Sequence, residues 1–189
     1  SGRATKLKAE GKAAEAEQLI ALMDRLTADD FKPDQEFDDT LTIDEGNTKA
    51  TLRHFGAGHT DNDAVIHFAD LNILVMGDLV FNGLHPFIDR SAGANTAGWR
   101  KSLNEAMKLC DDKTLVIPGH GANGDKSILA TQIQYFDRLQ STVEGAMKEG
   151  KSKDTISQMK PEAFAQLKFE TMQPGALTAM YEELSEGMN

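Results

Sequence analysis

The spacing of apolar residues predicts a helix at the start of the chain. Residues 4–26 are rich in Ala, Glu and Lys, which favour helix, and Gly11 weakens the first turns. A set of apolar residues recurs there at three- and four-residue intervals, as on one face of a helix: Leu19, Leu22, Met23 and Leu26. We therefore expect one helix, followed by a polar loop up to residue 39.

From residue 40 the apolar period changes to two, which predicts strands. Two predicted strands flank a turn at Gly46-Asn47, and a second pair flanks a turn at Ala69-Asp70. Gly77-Asp78 is predicted to end the last of these abruptly, and Pro118 is predicted to end a fifth strand. The predicted strands cover residues 40–43, 48–55, 64–68, 72–76 and 114–117.

Helices follow in the second half of the chain. Residues 96–110 and 126–147 each carry an apolar stripe at helical spacing, and the tail contains shorter helical segments. Trp99 and Cys110 lie on the first stripe and are expected in the core, where a thiol is inert. The alternation of helices and strands predicts an α/β domain in which helices cover one mostly apolar sheet.

Composition and charge exclude several classes of protein. Forty per cent hydrophobic and 26% charged residues are typical of a globular domain. Twenty basic against thirty acidic residues give a net charge of −10, which argues against nucleic-acid partners. A single cysteine excludes an internal disulfide or a multi-cysteine zinc site. No apolar run approaches the roughly 20 residues of a membrane-spanning helix.

Three ionisable residues share one placement in the predicted fold. His59 follows a strand in a glycine-flanked loop, Asp78 follows a buried strand, and His120 lies between two glycines after another strand. Residues that follow the strands of an α/β sheet converge at one rim, and glycine permits close approach of a ligand. Two imidazoles and a carboxylate suit zinc, or else iron or manganese. Asp78 has two oxygens and could bridge a pair of ions.

The motifs around these residues sharpen the prediction. Gly58-His59-Thr60 with Asp63, Gly77-Asp78-Leu79 and Pro118-Gly119-His120-Gly121 resemble, in order and separation, those of metallo-β-lactamase-fold hydrolases. The resemblance covers residues 40–147 and implies the C-terminal half of an αββα sandwich, a mixed sheet covered by helices. It also implies that His59 binds a first metal ion, His120 a second, and Asp78 both. An aspartate at position 78 resembles glyoxalase-type hydrolases more than the β-lactamases that carry cysteine there.

The chain departs from this family in one respect. The family's motif His-x-His-x-Asp-His is expected upstream of residue 40, but the first histidine is His54. Neither it nor His67 or His85 restores that spacing, so the expected catalytic aspartate and half of the ligands are absent. We expect a C-terminal fragment. Its expected parts are a helix and loop from the middle of the parent fold, the C-terminal half of the hydrolase domain, and a helical tail: residues 1–39, 40–150 and 151–189.

Three further residues are assigned supporting roles. Thr60 and Asp63 lie directly after His59, and Asp63 is expected to orient the His59 loop rather than bind metal. His85 follows Asp78 in an irregular segment, where either a substrate-loop or a structural role is expected. No catalytic residue is assigned within this chain.

The resemblance implies a dinuclear zinc hydrolase in which metal-bound hydroxide attacks a carbonyl of a small molecule. β-Lactams, thioesters, lactones and other esters all suit such a centre, and the fold does not choose among them. A di-iron redox member of the superfamily is an alternative. Another is a non-catalytic half-domain that forms a homodimer or domain-swaps through its exposed surface. The isolated chain is expected to be inactive, and either the bacterial cytoplasm or the periplasm is compatible with it.

Overall fold

The computed structural model describes residues 2–187. Contacts along the chain divide it into two compact units, residues 1–37 and 38–189. The helices are α1 (Gly2–Ala9), α2 (Ala13–Met23), α3 (Thr96–Met107), α4 (Ser127–Lys148), α5 (Lys153–Ser157) and α6 (Gln173–Glu186). The strands are β1 (Thr40–Asp44), β2 (Lys49–Arg53), β3 (Val65–Phe68), β4 (Ile73–Phe81) and β5 (Leu115–His120).

The first unit is a pair of short helices, α1 and α2, that pack against each other. The single predicted helix is therefore wrong: Gly11 has a φ of +76° and separates the two helices. Glycine tolerates this left-handed conformation at little cost, so it breaks the helix instead of only weakening it. The predicted apolar face is also largely open, since Leu22 and Met23 are 53% and 50% exposed.

The second unit is built on one mixed five-stranded sheet of order β1-β2-β3-β4-β5. The first four strands are antiparallel in sequence order, and β5 pairs parallel to β4 after the crossover through α3. This is the α/β sheet covered by helices that the sequence predicts. Helices α3 and α4 pack on β4, α6 packs on α4, and α5 packs on α6.

The core lies where β4 and β5 meet α3 and α4. Trp99 and Leu103 of α3 and Phe136 and Leu139 of α4 are fully buried there. Helix α6 extends this core with Leu177, which is also fully buried. Burying a large apolar side chain stabilises a fold by about 1.5–3 kcal/mol, so this junction is the most firmly held part of the sheet.

Two predicted strand ends are wrong. Strand β4 does not end at Gly77-Asp78 but continues to Phe81, so Asp78 lies within the strand. The pairing with β5 shifts register on both sides of Gly77, whose φ is +52°. Such an irregularity redirects a side chain without ending the strand. Strand β5 likewise continues through Pro118 to end at His120, because an edge strand tolerates proline.

No helix within residues 2–187 combines the length and the apolarity needed to cross a membrane.

Candidate metal centre

Asp78 lies between the two histidines that the sequence selects. Its Oδ2 is 3.7 Å from Nε2 of His59, and its Oδ1 is 3.4 Å from Nε2 of His120. Each histidine thus approaches a different oxygen of one carboxylate. The structure brings all three predicted ligands to the same edge of the sheet, close to the ends of β4 and β5.

His59 is held by contacts on several sides. Its Nδ1 is 3.0 Å from the carbonyl oxygen of Phe87, which accepts a hydrogen bond from the Nδ1–H tautomer and leaves the Nε2 lone pair facing Asp78. The ring lies edge-on to Trp99, with centroids 5.4 Å apart, and tilted against Phe81 at 5.8 Å. Trp99 is itself fixed by a 2.8 Å hydrogen bond from Nε1 to the carbonyl oxygen of Leu79.

The loop that carries His59 is closed by Asp63. The Asp63 carboxylate accepts hydrogen bonds from the backbone N–H and the hydroxyl of Thr60, both at 2.9 Å. Its backbone oxygen contacts Nδ1 of His54 at 2.7 Å. At Gly58 a Cβ atom would come within 2.6 Å of Leu79 and 3.0 Å of Asp63, so the loop packs too tightly for a side chain there. Asp63 and Thr60 are therefore placed to orient the His59 loop.

His120 is the more open of the two histidines. Its ring stacks on Phe81, with centroids 4.7 Å apart and planes at 23°, and Phe169 approaches its edge at 6.1 Å. The side chains of His120 and Asp78 are both 43% exposed, against 15% for His59. A Cβ at Gly119 would overlap Oδ1 of Asp78 and the backbone of Gly77. Glycine at this position gives the Asp78 carboxylate room beside β5.

His85 lies in a different environment. It is 1% exposed, its Nδ1 is 3.2 Å from the Tyr135 hydroxyl, and Phe164 meets it edge-on. Burial, with a lesser effect of Lys160, lowers the pKa of His85, although Glu170 opposes the shift. Burial also raises the pKa of Tyr135. These contacts favour the structural role over the substrate-loop role.

Cys110 is partly buried beside the core, and burial raises the pKa of its thiol. A raised pKa disfavours the reactive thiolate, in keeping with the inert role expected for this cysteine.

The three central residues suit a metal, but they do not form a complete site. Two donors about 2.1 Å from one tetrahedral ion lie about 3.4 Å apart, close to both measured pairs. A carbonyl partner on the second ring nitrogen, as at His59, is typical of metal-binding histidines. Within the described residues, however, no three His, Cys, Asp or Glu side chains converge on one point. The geometry is that of two pairs that share Asp78.

The sequence did not identify three aromatic residues that lie near the centre. Phe81 lies between the two histidine rings, while Phe87 and Phe169 flank them and are 49% and 46% exposed. Phe169 has a φ of +62°, which is uncommon for a residue with a side chain. No periodic signal could have selected Phe87 or Phe169, because both lie outside regular strands and long helices.

Comparisons with known proteins identify the family of this chain. A family model described as the metallo-beta-lactamase superfamily matches residues 3–120. Curated relatives named metallo-beta-lactamase type 2 include one from Bacillus sp. (strain 170), 34% identical, and one from Bacillus cereus, 32% identical. Each match spans 84 residues, 44% of this chain and 33% of the relative, so the matched part spans about a third of these relatives' length.

A solved metallo-beta-lactamase from Pontibacter korlensis is 22% identical, with a TM-score of 0.49 over 69% of this chain and 60% of that one. Because the family model covers more than half of the sequence, this chain belongs to the metallo-beta-lactamase superfamily.

Proposed function

We propose that this chain contributes His59, Asp78 and His120 to the metal centre of a metal-dependent hydrolase. The observation that carries the proposal is the pairing of each Asp78 oxygen with one histidine Nε2, at 3.7 and 3.4 Å. The names of the relatives support a metal-dependent hydrolase in the parent family. Superfamily membership adds weight to the same three positions.

The donor set supports zinc and a dinuclear arrangement. Imidazole nitrogen and carboxylate oxygen are common zinc ligands, although iron and manganese accept them as well. His59 and one oxygen of Asp78 would hold one ion, and His120 and the other oxygen would hold the second. Bound zinc lowers the pKa of water and polarises a carbonyl. The contribution of this chain is to hold and orient the ligands, and the Phe87 carbonyl keeps His59 in the required tautomer.

The ligand set in this chain is incomplete. A catalytic zinc normally has three protein ligands and one open position, whereas each proposed ion has two ligands here. No His-x-His-x-Asp-His motif occurs in the 189 residues. We propose that polypeptide outside this sequence supplies the remaining ligands and the proton-transferring aspartate. The chain alone is then expected to bind zinc weakly and to lack turnover.

The exposed aromatic residues bear on the substrate. Phe87 and Phe169 present half-exposed rings on the His59 and His120 sides, respectively. Exposed aromatic surface beside a polar centre suits the apolar part of a ligand. We propose a carbonyl substrate, such as a β-lactam, thioester, lactone or ester, that carries an apolar group next to the scissile bond.

A second candidate function rests on exposed apolar residues in the sheet. Ile43 of β1 and Leu115 of β5 are 39% and 40% exposed, and Leu71 between β3 and β4 is 59% exposed. Exposed apolar residues on a sheet can support self-association, and a half-domain that dimerises or domain-swaps through them would not need a metal.

Zinc binding distinguishes the two candidates. The purified chain, first stripped with a chelator, is titrated with zinc against a chromophoric chelator, and its mass is measured by light scattering with and without zinc. Saturable binding by a monomer, with no turnover of a chromogenic thioester or β-lactam, is the expected result. A dimer that binds no zinc would support the second candidate. Chelator-sensitive turnover by the repurified chain would contradict the proposed incomplete centre.

A further inference from the structure

A cavity separate from the candidate metal centre lies beside α4. Its volume is about 100 Å³, and its lining comes from the segment after β4, from α4, and from residues 163–167. His59, Asp78 and His120 are not part of the lining. Phe81 contributes to the lining, and its ring stacks on His120.

The cavity floor is apolar and contains one buried amide. Leu84, Ile128, Phe164 and Leu167 supply apolar lining. Gln132 is 3% exposed, and its Oε1 accepts a 3.0 Å hydrogen bond from the backbone N–H of Phe81. Its Nε2 has no hydrogen-bond partner within the described residues. A buried donor without an acceptor costs free energy.

Among the residues that line the cavity, one is charged, and its charge is positive. Arg138 of α4 is part of the lining and is exposed, and no Asp or Glu contributes to the lining. The ion pairs found in residues 2–187 do not include Arg138, whereas Arg90 and Arg100 are each paired with a carboxylate. An unpaired guanidinium next to an apolar cavity is suited to a carboxylate, which it binds with two parallel hydrogen bonds.

We propose that this cavity binds a small monocarboxylic acid with a compact apolar body. The carboxylate pairs with Arg138, and the apolar body occupies the lined cavity beside Gln132. An engineered cavity of about 150 Å³ accommodates benzene, so the smaller volume here suits a short branched chain better than a whole ring. This site does not depend on the proposed metal centre.

Ligand titrations followed by NMR test the proposal directly. The wild-type chain is titrated with 3-methylbutanoate, hexanoate and phenylacetate, and with the neutral amide of each acid. Chemical shifts are followed at the side-chain NH₂ of Gln132. We expect saturable binding of at least one acid, movement of the Gln132 NH₂ signals, and about tenfold weaker binding of the matching amide, because the charge-assisted hydrogen bonds are lost.

Variants locate the site. R138Q should lower the affinity for the acid to that for its amide. A163W, which places a ring at the cavity lining, should abolish binding of both. R25Q, an exposed arginine of the first unit, is the matched control and should bind like wild type. D78N should also bind like wild type, which separates this site from the metal centre. Absence of saturable binding, an unmoved Gln132 signal, equal affinity for acid and amide, or an R138Q variant that binds normally would each overturn the proposal.

Discussion

The two histidines of the candidate centre are held very differently. His59 is 15% exposed, fixed by the Phe87 carbonyl and packed against Trp99, whereas His120 is 43% exposed and rests on Phe81. Asp78 joins the two sides with one oxygen each. The His59 side is therefore preorganised by the core, and the His120 side is open. We infer that the open side is where the missing ligands and the substrate enter.

The largest expected effect follows from removing the shared residue. D78N removes the negative charge from both pairs at once. Loss of a residue that only supports a metal ligand lowers metal affinity by up to about a hundredfold, so we expect loss of the shared ligand to lower zinc affinity by at least that much. The chelator-competition titration measures this change. D70N, an exposed aspartate of the same unit, is the matched control. Equal affinity in D78N and wild type would remove Asp78 from the centre.

Substituting each histidine alone distinguishes the His59 side of the centre from the His120 side by its effect on stability. H59Q should lower both zinc affinity and stability, the latter by about 1–2 kcal/mol, since the ring loses its hydrogen bond to the Phe87 carbonyl and its aromatic contacts. H120Q should lower zinc affinity but change stability by less than about 0.5 kcal/mol, because its side chain is 43% exposed and, within the described residues, has no hydrogen bond comparable to that of His59. Urea unfolding of the metal-free variants gives the stabilities. Equal destabilisation by both would contradict the contrast between the two sides.

Two glycine substitutions test how tightly β5 approaches Asp78. G119A places a Cβ against Oδ1 of Asp78 and the Gly77 backbone, and we expect it to destabilise the chain by about 1–3 kcal/mol and to weaken zinc binding. G145A in α4 meets no atom within 4 Å and should stabilise by about 0.5–1 kcal/mol. Thermal and urea unfolding measure both. If G119A changed neither stability nor zinc binding, Asp78 would have more conformational freedom than the structure indicates.

The smallest effect concerns pH and the buried His85. Its pKa in the folded chain lies below the ordinary value of 6.5, so the unfolded chain binds more protons between the two values. Its contribution to stability is thus present above about pH 6.5 and is lost as the pH falls through that window. H85F should flatten this part of the pH profile of the unfolding free energy. An unchanged slope in H85F would assign the acid sensitivity to another group, such as His67, whose pKa is also lowered by burial.

The sequence predicted the fold, and the meeting of His59, Asp78 and His120 in space, better than the element ends. Apolar periodicity located the five strands and helices α3, α4 and α6, because a side chain facing the core repeats with the period of its element. It failed at Gly77 and Pro118, where local signals for chain breaks were outweighed by pairing between β4 and β5. A bulge and an edge position accommodate both residues, and neither is visible without the sheet order.

Side-chain surroundings were less accessible to prediction. The Phe87 carbonyl that fixes His59, the Phe81 ring between the histidines and the approach of Phe169 all join residues far apart in sequence. Their positions follow from tertiary packing rather than from a local pattern. The same holds for Gln132, whose buried amide lies on a helix face that looks ordinary in the sequence. The contacts of Asp63 with Thr60 beside His59 were easier to anticipate, because they are local in the sequence.

Histidine-selective NMR during a zinc titration measures whether His59, Asp78 and His120 bind metal together. We expect the Nε2 resonances of His59 and His120 to shift as zinc is added, Nδ1 of His59 to stay protonated, and the resonances of His67 and His85 to stay unchanged. Shifts confined to His54 or His67, or no shift at His59 and His120 at saturating zinc, would contradict this expectation.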